Sequence, residues 1–101
     1  MSRKEIITEQ TRALMRGLLC LETEEECRAF LEDLCTAAEL QSLTQRFEVA
    51  RMLRSKATYQ EIASSTGAST ATISRVNRCL NYGTDGYELV FRRLCDQQQD
   101  Q

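Results

Sequence analysis

Thr58-Tyr59-Gln60-Glu61-Ile62-Ala63-Ser64-Ser65-Thr66-Gly67-Ala68-Ser69-Thr70-Ala71-Thr72-Ile73-Ser74-Arg75-Val76-Asn77-Arg78-Cys79-Leu80 is the stretch whose reading decides the fold. Thr58 followed by Glu61 forms a capping box, which satisfies two orphan N–H groups at a helix start. Ile62 and Ala63 then lie inside a short helix, and Ala63 is small where a second helix must cross closely. Gly67 comes four residues after Ala63, where a sharp turn needs positive φ and a side chain would clash. Ser69 or Thr70 can cap the second helix. Along it, Ile73, Val76 and Leu80 return at spacings of three and four to pack on the first. The expectation is a helix-turn-helix over 58–80.

Between those apolar positions, Thr70, Ala71, Thr72, Ser74, Arg75 and Arg78 face outward, all short or basic. Such a set suits a major groove: small residues allow close approach and hydroxyls bond phosphates or base edges. Ala and Thr methyls meet thymine methyls, and arginine reads guanine. A helix N-terminus adds its backbone N–H groups. With Gln60 and Ser69 these form the candidate DNA-contacting set. The competing readings are an ordinary helical hairpin with a polar face, and a docking module for other proteins built on the same scaffold.

Outward from this motif the chain reads as five or six helices. Residues from about Lys4 to Leu21 repeat apolar positions at Ile7, Leu14, Leu18 and Leu21. Thr23 with Glu26 is a capping box opening a helix that carries Cys27, Phe30, Leu31 and Leu34 on one face. Thr36 with Glu39 opens another, with a stripe of Leu40, Leu43, Phe47, Ala50 and Leu53. Asn81 to Gly86 is the clearest loop. Asp85 can cap a last helix bearing Tyr87, Val90, Phe91 and Leu94. No linker separates domains, so 1–95 is expected to be a single all-α domain and the glutamine-rich end, 96–101, a disordered tail.

Charge is distributed unevenly. Net charge is −2 overall, but residues 46–80 hold Arg46, Arg51, Arg54, Lys56, Arg75 and Arg78 against Glu48 and Glu61. Positive charge is thus gathered where the helix-turn-helix lies. The cysteines at 20, 27, 35, 79 and 95 are odd in number, without a C-x-x-C pair, and the chain has no histidine. That argues against a disulfide framework and against zinc. Reduced cysteines acting as small core hydrophobes are expected, hence a reducing cytoplasm. The longest apolar run, Leu18 to Leu21, is too short to span a bilayer or form a signal-peptide core, so no membrane partner is expected. The acids Glu24, Glu25 and Glu26 cluster in a first helical turn, where the macrodipole favours them. No constellation of residues could run a reaction, so no enzyme is expected.

The segment 36–94 resembles the tryptophan repressor family. Ala68-Ser-Thr-Ala-Thr-Ile-Ser-Arg-Val-Asn-Arg-Cys-Leu-Asn-Tyr-Gly83 reads much like the small repressor-related proteins of the YerC/YecD family. The resemblance implies an all-α, Trp-repressor-like bundle in which two chains interlock through their N- and C-terminal helices. Two recognition helices would then meet successive major grooves roughly 34 Å apart. It also implies that Arg46 and Arg75 fall where the repressor's two arginines sandwich the indole of bound tryptophan. Val76 stands where the repressor has glycine beside the ligand, and Cys79 replaces a serine of the pocket wall. Gln60 and Ala63 replace basic residues that help hold DNA.

The function expected is a homodimeric, sequence-specific DNA-binding transcriptional regulator, a repressor, with the recognition helix at about 70–80 on double-stranded DNA. The alternative is a helix-turn-helix docking adaptor for transcription or replication machinery. Arg46, Arg75, Val76 and Cys79 mark a possible effector pocket for an unknown small molecule, and no cofactor is expected because Val76 obstructs tryptophan. Arg75 is open between DNA and that pocket. Arg46 is open between a ligand role and that of a surface or ion-paired arginine beside Glu48 or Glu39.

Overall fold

The computed structural model describes residues 8–99, in six helices: α1 Glu9–Leu19, α2 Glu24–Leu34, α3 Ala37–Arg54, α4 Tyr59–Thr66, α5 Thr70–Tyr82 and α6 Gly86–Gln99. They fall into two compact units that divide between Leu40 and Gln41.

In the first unit each helix starts on a threonine. The Thr8 hydroxyl accepts the Thr11 N–H, so α1 opens at Glu9, and the expected start near Lys4 lies outside the described residues. Its end comes before Leu21 because Cys20 and Leu21 donate back to Gly17 and Leu18, tightening the last turn. Thr23 accepts from Glu26 as expected, but the Glu26 carboxylate takes the N–H of Glu22 at 2.8 Å rather than that of Thr23. The box is therefore stretched by one residue. Thr36 and Glu39 make both reciprocal bonds. Neither α1 nor α2 buries a single residue: Leu14, Met15 and Leu18 are about two-fifths exposed and Leu34 about half.

The second unit holds the core: Val49, Ala50, Ile62, Ala68, Ile73, Val76 and Phe91. Val49 and Ala50 come from α3, where the stripe Leu40–Leu43–Phe47–Ala50–Leu53 was expected to be inward. Leu43 and Phe47 are instead exposed and Val49 is fully buried. The α3 helix is apolar on more than one side, so periodicity alone could not choose its buried face. Lys56 ends the helix in the left-handed conformation (φ 67°), with Ala57 donating to Met52 and Lys56 to Leu53. This is a Schellman stop made without glycine.

Three sequence expectations give way here. None of the five cysteines is buried, and Cys20, Cys79 and Cys95 are exposed; all five are free thiols, so they are not core fillers in this chain. The loop before α6 is shorter than 81–86, because Asn81 and Tyr82 complete α5 and Gly86 opens α6. Asp85 has φ 65°, a left-handed backbone rather than the extended one of an N-cap, and it serves α6 through its carbonyl, which accepts from Leu89. At the far end α6 runs on to Gln99, through glutamines expected to have nothing to hold them.

Across the second unit, α6 is keyed to α3. Arg54 makes a two-pronged pair with Glu88, Nε–Oε2 3.0 Å and Nη2–Oε1 2.9 Å, the planar fork geometry that suits carboxylate. Its guanidinium also lies 5.6 Å from the centre of the Phe91 ring. Phe91 in turn packs on Phe47 at 4.9 Å and stacks with Tyr87 at 6.2 Å between centroids.

These polar bonds carry a pH dependence. Hydrogen bonds from the Thr36 and Thr58 backbone hold the Glu39 and Glu61 carboxyls below their ordinary value near 4.5. The hydrogen bond from Arg54 does the same for Glu88. Depressed carboxyls contribute stability above about pH 4.5 that is lost as pH falls through their folded values. Thermal melts between pH 7 and pH 3 should therefore show a falling Tm below about 4.5, and Glu61→Gln should flatten that fall.

Candidate nucleic-acid interface

Local hydrogen bonds set α4 and the turn between α4 and α5. Thr58 and Glu61 close a full capping box at the start of α4. Gly67, at φ 74°, donates to the Ala63 carbonyl at 2.9 Å. A Cβ built on Gly67 would meet nothing within 4 Å. The glycine is thus required by its backbone angle, and the expected side-chain clash is absent. Thr66 completes the turn: its hydroxyl donates to Ile62 O at 2.8 Å and accepts the Ala68 N–H at 3.1 Å. From α3, the Gln45 side-chain amide donates to Thr66 O at 3.1 Å. The turn is therefore tied to the helix behind it, and sequence reasoning missed this latch. A threonine just before Gly67 was a signal for it, whereas a glutamine 21 residues away gave none.

Ile62, Ala68, Ile73 and Val76 are the buried face of this motif. Burying them fixes the rotation of α5, so the residues between must look away from the core. Thr70, Ala71, Ser74, Arg75 and Arg78 are all exposed, as is Gln60 on α4. Ser69 is the N-cap of α5, accepting from the Thr72 N–H, and its hydroxyl also donates to Thr72 Oγ1 at 3.1 Å. Thr72 is half-buried. Both hydroxyls are thus engaged by the helix start, whereas those of Thr70 and Ser74 stand out from it.

The electrostatics narrow in the same way. Of the six cations in 46–80, Arg51 is held by Glu48 and Arg54 by Glu88. Among the described residues, Lys56, Arg75 and Arg78 have no acidic partner. Arg46 is half-buried and its Nε is buried without a hydrogen-bond partner. Arg46 makes no ion pair with Glu48 or Glu39, whose carboxylates bond Arg51 and the Thr36 N–H. Val76 is a core residue at 2% exposure, and Cys79 on the same helix is exposed. Arg75 is exposed one residue before Val76, whose side chain lies on the buried face. Among the described residues no group of acids and cysteines could hold a metal ion. No described helix is long and apolar enough to cross a membrane.

Residues 9–95 match the family model for the Trp repressor protein. The chain belongs to the Trp repressor family. It is 59% identical to the uncharacterized protein YerC of Bacillus subtilis over 80% of this chain and 78% of YerC. A TrpR-like protein from Eubacterium eligens has a crystal structure with a TM-score of 0.88 to this chain. It is 54% identical over 91% of this chain and 95% of its own. A crystal structure of a Staphylococcus aureus protein also superposes with a TM-score of 0.88, at 44% identity over 93% and 94%. The Trp repressor family is one of DNA-binding regulators and not of enzymes, in line with the sequence expectation.

Proposed function

We propose that this Trp repressor family member is a sequence-specific transcriptional repressor that acts as a homodimer, with α5 in the major groove. The observation that carries the reading is the outer row of α5: exposed Thr70, Ala71, Ser74, Arg75 and Arg78 behind a rigidly capped first turn. A docking adaptor would place aromatic or large apolar anchors on that row, and none stands there. The dimer is supported by α1 and α2, amphipathic helices that bury nothing in one chain. A second copy would cover their apolar sides. We take residues 1–95 to work as one domain, with α3 running through both units.

Binding of the full chain to duplexes selected from a random pool tests this reading. Within 46–80, Lys56, Arg75 and Arg78 are exposed cations without an acidic partner, so log K should fall with log salt at a slope of about −3 per chain. Sedimentation at micromolar concentration should give about twice 11.6 kDa. Absence of duplex binding at low salt would leave the adaptor reading in its place, and a stable folded monomer would refute the dimer.

L-tryptophan should not act as corepressor. Arg46 and Arg75 keep two cationic groups for a planar or anionic effector, but Val76 adds an isopropyl group where the resemblance to the tryptophan repressor implies glycine. Overpacking of this kind costs roughly 1–3 kcal/mol, about one to two decades of affinity. Calorimetric titration should show no saturable heat at millimolar tryptophan; tight binding would refute this. Val76→Gly is a poor converse test, because it also removes a core side chain.

A further inference from the structure

We infer that Gln45 of α3 is a positioning residue for DNA binding: its hydrogen bond to the turn fixes the angle at which α5 is presented. The inference rests on the proposed DNA-binding role and adds to it a residue outside α5. Gln45 and Arg46 stand four residues before Val49 and Ala50, so the buried stripe of α3 ends on its N-terminal side in two polar side chains. Gln45 is half-buried there, and its amide donates to the Thr66 carbonyl at 3.1 Å. Thr66 is the last residue of α4, and its carbonyl is among those that a helix end leaves without an intrahelical partner. The bond thus satisfies an orphan acceptor and joins α3 to the turn.

The turn needs such a hold. Gly67 follows Thr66 and is the point where α4 hands over to α5. Glycine turns freely about its backbone bonds, and nothing lies within 4 Å of the place its Cβ would take, so no steric stop fixes the angle. The bonds from Gly67 N–H to Ala63 O and from Ala68 N–H to Thr66 Oγ1 are internal to the motif and would move with it. Burial of Ile73 and Val76 drives α5 onto the core but is non-directional. The Gln45 bond is directional and comes from outside the motif. A swing of about 10° at Gly67 would displace Arg78, roughly 15 Å along the chain at about 1.5 Å per residue, by about 2–3 Å. That is more than a hydrogen bond to a base edge survives. Attraction to phosphates through counterion release needs no such alignment. The latch therefore acts on the ratio of specific to non-specific binding.

Gln45→Met tests this, because it keeps an unbranched side chain and removes the donor. Apparent affinity scales with the fraction of chains whose turn is aligned, and one hydrogen bond is worth about tenfold in that equilibrium. Binding of the full chain to a selected duplex should fall by about tenfold, while binding to a random duplex of the same length stays within about twofold. Gln45→Lys returns a donor to the Thr66 carbonyl. Its charge would raise affinity for both duplexes, so the readout is the ratio of the two affinities, which should return towards that of the unaltered chain. An unchanged ratio in Gln45→Met, whether both affinities fall together or neither falls, overturns the inference and leaves the DNA-binding reading intact. A ratio that stays low in Gln45→Lys overturns it as well, since the donated hydrogen bond would not then be what matters. Failure of the unaltered chain to bind any duplex overturns the functional reading, and this inference with it.

Discussion

Ile73→Ala will cost about 2–5 kcal/mol of folding stability, out of the roughly 5–15 kcal/mol available to a domain of this kind. Ile73 has no solvent exposure and belongs to the same cluster as Val49 and Ala50 of α3, Ile62 of α4 and Phe91 of α6. It is the residue through which α5 is seated on the rest of the second unit. Truncation removes its transfer free energy and leaves a cavity that two short helices cannot collapse into without tilting α5. DNA binding should fail together with stability, because the exposed row is aimed by this packing. Ile73→Val, which removes a single methylene, should cost only about 0.5–1.5 kcal/mol. Urea denaturation followed by circular dichroism reads both. An Ile73→Ala variant as stable as the parent would mean that α5 is held by something other than this core.

Ser74→Glu should abolish DNA binding while leaving the fold intact. Ser74 is exposed on α5 between Ile73 and Arg75, and its side chain has no part in the core. A carboxylate there faces phosphates, and like-charge juxtaposition across an interface costs several kcal/mol. About 3 kcal/mol corresponds to two decades of affinity or more. Thr72→Glu looks equivalent from the sequence but is not. Thr72 is half-buried and tied to the Ser69 hydroxyl, so changing it would also loosen the cap of α5. Fluorescence anisotropy with a labelled duplex, alongside an unchanged Tm, gives the expected result. Normal binding by Ser74→Glu would show that this face is not the interface.

What the sequence made legible was local. Thr58 with Glu61, Gly67, Ser69 and the Ile73–Val76 spacing all report on neighbours within one helical turn, and each does in the structure what its chemistry demands. Thr72 misleads for another reason: it stands four residues before Val76, at the edge of the buried stripe, so the helical period itself makes it half-buried rather than outward. Contacts between distant elements left little trace. Nothing in the composition joins Arg54 to Glu88, 34 residues on, or Gln45 to the carbonyl of Thr66. The stripe on α3 was ambiguous because Leu43, Phe47, Val49 and Leu53 offer apolar groups on several sides, and a single chain buries only some of them. Lys56 was illegible as a helix stop because the left-handed conformation there falls on a lysine rather than on glycine.

The exposed cysteines follow the same logic. Cys79 comes three residues after Val76, beside the buried stripe of α5, and is nevertheless exposed in the single chain, so register alone would have placed it closer to the core than it is.

If the outer row of α5 is the DNA-binding surface, titration of a selected duplex into isotope-labelled protein should move the amides of Thr70, Ala71, Ser74, Arg75 and Arg78 most, saturating together, while those of α1 stay in place. Saturating shifts confined to other helices, or no shifts at low salt, would contradict it.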